Sequence, residues 1–252
     1  MSALIEVTGL DKAFGGVNAV EGLSFSVNAG QVYSVIGPNG AGKTTLFNLI
    51  TGIYTPTKGE IKLRGESVVG LEPNQLAERG MCRTFQNLQI CMNMTALENV
   101  MLGRHLQLKS NFLSTLFRLP SMLRDEAACR ERAIELMEFV GCGQYVNTEA
   151  SAMSYGALKR LEIARALAAD PKVILLDEPA AGLNGTETAA LEDLIRKVAQ
   201  QGITVVLVEH DMKLVMGISD YLLVLNYGRK LAEGTPEQIR NNPDVIAAYL
   251  GG

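Results

Sequence analysis

The sequence predicts an α/β fold built on a parallel sheet, and three stretches carry the prediction. One is a strand, a glycine-rich loop and a helix over residues 31–50. The other two are apolar strands at residues 173–176 and 203–208, which end abruptly in Asp177-Glu178 and Glu209-His210-Asp211. Runs without alternation are buried on both faces, as parallel strands between helices are. Polar residues at their carboxyl ends fall where open α/β sheets bind ligands.

Gly37-Pro38-Asn39-Gly40-Ala41-Gly42-Lys43-Thr44 fits the pattern G-x-x-x-x-G-K-[ST]. Small residues let successive backbone N–H groups turn around a phosphate, and the following helix presents its positive end to the same anion. Lys43 supplies a point charge, and the Thr44 hydroxyl suits a Mg²⁺ shell of oxygen ligands. The context fits: QVYSVI over residues 31–36 reads as a buried strand, and Leu46, Phe47, Leu49 and Ile50 lie at helical spacing before Gly52.

Upstream, residues 4–36 alternate apolar runs with turn signals and predict a small β layer. Phe14, before Gly15-Gly16, either stacks on a flat base or packs in that layer. Past the helix, Pro56-Thr57-Lys58-Gly59 turns into a strand at residues 60–63, then a helix at 73–79, then Arg83-Thr84-Phe85-Gln86-Asn87. Residues 96–137 read as long helices, with leucines and phenylalanines among Arg104, Lys109, Arg118 and Arg124 over 103–124. Such a basic amphipathic stretch is core, a partner-docking face or a membrane-surface helix.

Ser154 reads as the N-cap of a helix opening at Tyr155-Gly156. Of Asp177 and Glu178, one acid can hold the Mg²⁺ shell and the other orient water. A helix at 188–201 leads to the strand ending at His210, Asp211 caps the next helix, and residues 221–226 form a last strand. Thr235-Pro236-Glu237 and Asn242-Pro243-Asp244 each open a short C-terminal helix.

Composition narrows the function. At 252 residues and 47% hydrophobic, the chain buries a sizeable core. No apolar run approaches the roughly 18 residues of a membrane helix, and Glu6 interrupts the stretch where a signal peptide would be apolar. Four cysteines without a C-x-x-C pair argue against zinc or a disulfide framework, and a net charge of −4 argues against general nucleic-acid binding.

The phosphate loop, Gln86, Ser154-Tyr155-Gly156, Asp177-Glu178 and His210, in this order and spacing, closely resemble the ATP-binding subunits of ABC transporters. Within them, the SYG signature, Pro179-Ala180-Ala181-Gly182-Leu183-Asn184, the 103–124 insertion and the ending Asn241-Asn242-Pro243 to Tyr249-Leu250-Gly251 resemble the branched-chain amino-acid uptake group. The resemblance implies a P-loop NTPase (ABC ATPase) fold with a RecA-like parallel-sheet core, a small antiparallel β subdomain and a helical subdomain. The β layer and ATP-binding core would span about 1–86 and 164–235, the helical subdomain about 87–163, and a C-terminal extension about 236–252.

It also implies roles. Phe14 stacks on adenine; Gly37 through Gly42, Lys43, Thr44 and Thr45 hold phosphates and Mg²⁺; Gln86 senses the γ-phosphate and joins Thr44 and Asp177 around the metal. Glu178 polarises the attacking water and His210 holds the γ-phosphate end, while Ser154 and Gly156 act in trans on ATP bound by an opposite subunit. The implied partners are a second ABC ATPase subunit, identical or a paralogue, integral membrane permeases and, indirectly, a periplasmic or extracellular solute-binding protein. The implied place is the cytoplasmic face of the membrane. Urea or another small solute, a soluble role in DNA repair or translation, and a non-hydrolysing regulatory module are the alternatives. Two departures stand out: Ala157-Leu158 follow Gly156 where the signature usually continues with Gln or Glu, and Asn184 replaces a common Asp. The first predicts a weaker composite site or pairing with a paralogue.

Overall fold

A computed structural model describes residues 3–84, 86–104 and 120–250. The expected insertion at 103–124 lies largely outside the described residues.

Two sheets form the molecule. In the first, β1 (Ala3–Phe14), β2 (Val17–Asn28), β4 (Lys58–Leu63) and β5 (Glu66–Ser67) pair antiparallel in the order β2-β1-β4-β5. The second contains β3 (Val32–Ile36), β6 (Met81–Arg83), β7 (Val173–Asp177), β8 (Thr204–Val208), β9 (Tyr221–Asn226) and β10 (Arg229–Gly234), in the order β10-β9-β3-β8-β7-β6. Its strands run parallel except β10, which returns antiparallel on β9. Every residue of β3, β7 and β8 is buried, as the unalternating apolar runs require.

Side-chain alternation divides the interior. Tyr33 and Val35 of β3 face the antiparallel sheet and α1 (Lys43–Ile50), where Phe25 stacks on Tyr33 at 5.8 Å and Leu46 and Phe47 fill the space. Val32 and Ile36 face the other way, onto the core shared by α3 (Ala96–Gly103), α4 (Pro120–Phe139), α5 (Tyr155–Leu167), α6 (Gly185–Gln200) and α7 (Met212–Ile218). The short α2 (Pro73–Glu78) precedes β6, and α8 (Pro236–Arg240) and α9 (Pro243–Leu250) close the chain.

The caps explain where helices begin. Ser154 accepts from Ala157 N–H, Asp211 from Lys213 and Leu214, and Thr235 from Gln238. The helix expected from residue 188 starts three residues earlier, because Asn184 and Glu187 form a capping box. Strand β1 continues through Gly9 and Asp11 by register shifts against β2, so polar positions sit within a paired strand.

Candidate active site

Strand β3 lies between β8 and β9, and its carboxyl end opens into the loop that starts α1. Two glycines there are sterically required. A Cβ on Gly37 would lie 2.2 Å from the Leu225 carbonyl oxygen, and one on Gly42, at φ +99°, 2.6 Å from that of Ala19. The loop is pinned by Ala41 N–H to Pro38 O at 3.1 Å and Gly228 N–H to Ala41 O at 3.0 Å. Lys43 Nζ donates to the carbonyl oxygens of Gly37 and Pro38, at 2.6 and 3.0 Å. Burial holds its ammonium below the usual lysine range, with the Glu178 carboxylate pulling the other way.

A cavity of about 420 Å³ is walled by residues 39–45 of this loop and by Val17, Asn18, Ala19, Glu178, His210, Tyr227 and Gly228. A second cavity, about 440 Å³, lies between α2, β6, α3 and α5; its walls hold neither the loop amides nor Glu178, so anion chemistry belongs to the first.

Strands β7 and β8 deliver the acids and the histidine beside the loop because they run parallel to β3 in register. Glu178 sits just past β7 in the left-handed region, at φ +47°, an uncommon conformation for a residue with a side chain. Its Oε1 lies 2.5 Å from His210 Nε2, and its Oε2 accepts from Gln86 Nε2 at 2.8 Å. Gln86, Glu178 and His210 thus form one connected group, with Lys43 and Thr44 on the same cavity as Glu178 and His210.

Asp177 is tied elsewhere. Its Oδ2 lies 2.6 Å from Arg83 Nη2, both side chains being 7% exposed, while Arg83 Nη1 donates to Asn48 Oδ1 and Thr51 Oγ1 of α1 and its cap. The oxygen donors of Thr44, Asp177 and Gln86 match Mg²⁺, which takes oxygen ligands and leaves several positions to water and phosphate.

Seven of the expected site residues are not on this cavity's wall: Gly37, Pro38, Gln86 and Asp177, described above, and Phe14, Ser154 and Gly156. Phe14 ends β1 with its ring edge-on to Tyr54 at 5.2 Å, under the Lys12 ammonium, and is 43% exposed. Ser154 and Gly156 open α5, where Gly156 packs so closely on Glu187 that a Cβ would lie 2.4 Å from its Oε1. Ala157, at the departure from the signature, is fully buried.

Sequence reasoning missed several residues. Lys159, Glu162 and Arg165, at spacings of three on α5, grip the segment after β6: Lys159 Nζ donates to Gln86 O at 3.2 Å, Gln89 N–H to Glu162 Oε1 at 3.2 Å, and Arg165 to Gln89 O. Their helical spacing was the available signal. Glu209 is buried between the turns of Glu178 and His210.

A phosphate loop on a central parallel strand, with a histidine from the adjacent strand and a carboxylate from the next one on the same cavity, defines a nucleoside-triphosphate-binding α/β protein. Residues 20–181 match the ABC transporter family, and residues 229–252 match the branched-chain amino acid ATP-binding cassette transporter family. The chain belongs to the ABC transporter family as one of its ATP-binding subunits. It is 50% identical over 249 residues to the high-affinity branched-chain amino acid transport ATP-binding protein BraF of Pseudomonas aeruginosa, covering 98% of each. It is 48% identical to LivG of Escherichia coli K12 over the same length and coverage. A nucleotide-free ATP-binding cassette from an ABC transporter superposes with a TM-score of 0.86 at 32% identity, covering 100% of both chains. A dimeric cassette bound to ADP and Pi gives 0.77 at 25% identity, covering 92% of this chain and 98% of that one.

Proposed function

We propose that the chain is the ATP-hydrolysing subunit of an ABC importer for branched-chain or other hydrophobic amino acids. The observation that carries the chemistry is Glu178, bridged to Gln86 and His210 and lining the same cavity as the phosphate loop. The substrate class rests on BraF and LivG, named for branched-chain amino acid transport, and on the C-terminal match.

The loop amides and Lys43 bind the phosphates, with Lys43 leaving the carbonyls of Gly37 and Pro38 for the stronger charge of the nucleotide. Thr44, Asp177 and Gln86 would hold Mg²⁺, which would supply charge neutralisation on the outer phosphates. Glu178 polarises the attacking water, and His210 holds both the Glu178 carboxylate and the γ-phosphate end. Phe14, at the end of β1 and partly exposed, stacks on the base.

Ser154 and the first amides of α5 cap the γ-phosphate on an opposite subunit, so the working unit is a dimer of this chain or of it with a paralogue. Residues about 1–86 and 164–235 form the nucleotide-binding core, about 87–163 the helical subdomain and about 236–252 a C-terminal extension. The groove between α2, β6, α3 and α5, largely apolar and edged by Arg83 and Arg165, receives a permease segment at the cytoplasmic face of the membrane. Among the described residues no helix is long and apolar enough to cross a membrane itself. A solute-binding protein delivers the amino acid to the permease from the other side.

Lys43→Ala tests the site: nucleotide binding falls by at least about 100-fold, roughly the 3 kcal/mol of a charge-assisted contact. Undiminished binding refutes the phosphate-loop assignment. Co-purification tests the partner: recovery with integral membrane subunits is expected, and its consistent failure overturns the importer reading.

A further inference from the structure

Glu209 follows β8, is 4% exposed, and its carboxylate divides between two turns. Oε1 accepts the Ala180 N–H at 2.7 Å, from the turn that follows Glu178. Oε2 accepts the His210 N–H at 2.9 Å and the Asp211 N–H at 3.4 Å. A carboxylate alone among side chains of this size offers two acceptor oxygens and no donor, so it can hold amides from both sides.

The turn it holds needs holding. Glu178 is kept at φ +47° between Glu178 N–H to Val208 O at 2.9 Å and Ala181 N–H to Glu178 O at 3.1 Å. A left-handed glutamate persists only where its surroundings fix it. We propose that Glu209 is a positioning residue that sets the Glu178–His210 distance by bridging their two turns. This rests on the reading of Glu178 as the group that polarises water and His210 as its partner; Glu209 is not on the cavity wall, and its carboxylate accepts from backbone amides.

Glu209→Gln is the informative change, because a glutamine has one acceptor oxygen and a donating NH2 group in place of the second. It can serve one turn, and it presents an N–H to the amide of the other. The variant keeps ATP binding, with KM for ATP within about twofold, and loses about 10- to 100-fold in kcat, the scale of an ångström-level misplacement. Since Glu209 acts through the pair, adding the same change to His210→Ala costs less than about threefold further. In the wild-type protein the Ala180 and His210 amides are protected from hydrogen exchange, and one of them loses protection in Glu209→Gln.

A kcat within about twofold of wild type overturns the proposal, as does a full additive loss in the His210→Ala background. Wild-type Ala180 and His210 amides that exchange like exposed loop amides overturn it without needing a folded variant. Glu178→Gln serves as the control: if it is inactive while Glu209→Gln is not, this proposal alone fails, and if it turns over at the wild-type rate, the reading of Glu178 fails and takes the proposal with it.

Discussion

Replacing Arg83 with methionine keeps most of the side chain's length and removes its charge. The guanidinium lies 2.6 Å from Asp177 in a site where both partners are 7% exposed, and it donates at 2.7 and 2.9 Å to Asn48 and Thr51 while its carbon sits 5.6 Å from the Phe47 ring centroid. Without it, Asp177 is a buried carboxylate lacking its counter-ion at the end of the central strands. Breaking one side of a buried pair costs about 3–5 kcal/mol. For a chain of this size, about 2–4 °C per kcal/mol converts that to a melting-temperature drop of roughly 6–20 °C. Denaturant titration and thermal melting followed by circular dichroism measure it. Arg83→Met/Asp177→Asn removes both charges and loses less than the sum of the single changes, because neither partner is then stranded. A loss under about 1 kcal/mol in Arg83→Met, the range of an exposed pair, refutes the reasoning.

Two further substitutions read other parts of the fold. Gly37→Ala drives a Cβ into the Leu225 carbonyl and displaces the loop from β9, so nucleotide affinity, measured by equilibrium titration, falls by about tenfold or more while the fold survives. Tyr33 is buried with its hydroxyl donating to Glu233 Oε1 at 2.9 Å; burial foremost, then Glu233, holds its pKa well above the usual phenol range. A raised folded-state value means that this stability is present below the unfolded pKa of about 10 and is lost as pH rises beyond it, by about 1.4 kcal/mol per pH unit. Tyr33→Phe therefore costs about 1 kcal/mol at pH 8 and shows less alkaline loss than wild type between about pH 10 and 11, measured by denaturant midpoints.

The central sheet was legible because its strands declare themselves: residues 173–176 and 203–208 are uniformly apolar, and burial on both faces is what a central parallel position imposes. Edge elements were not. Met81–Arg83 is three residues long, and β10, which carries Arg229, Lys230 and Glu233, reads as a polar loop until β9 pairs with it. The phosphate loop and the acid pair could be read because each is contiguous in sequence, and chain order placed His210 on a neighbouring strand. The Arg83–Asp177 pair spans 94 positions and the Glu209–Ala180 bond 29, so only the folded chain brings these partners together. Lys159, Glu162 and Arg165 were hidden differently: charged residues at helical spacing look like a solvated face, yet the first two are 3% exposed and hold the segment of Gln86.

Glu178 carries the central chemistry. Glu178→Gln keeps the side chain's size and its capacity to accept from Gln86, but removes the charge that polarises water and pairs with His210. Steady-state hydrolysis and equilibrium ATP binding, measured on the same preparation, give the answer. The expected result is turnover reduced by at least about 100-fold with ATP binding retained and an ATP-bound dimer accumulating on size-exclusion chromatography. Unchanged turnover would contradict the account, because another group would then have to activate the water.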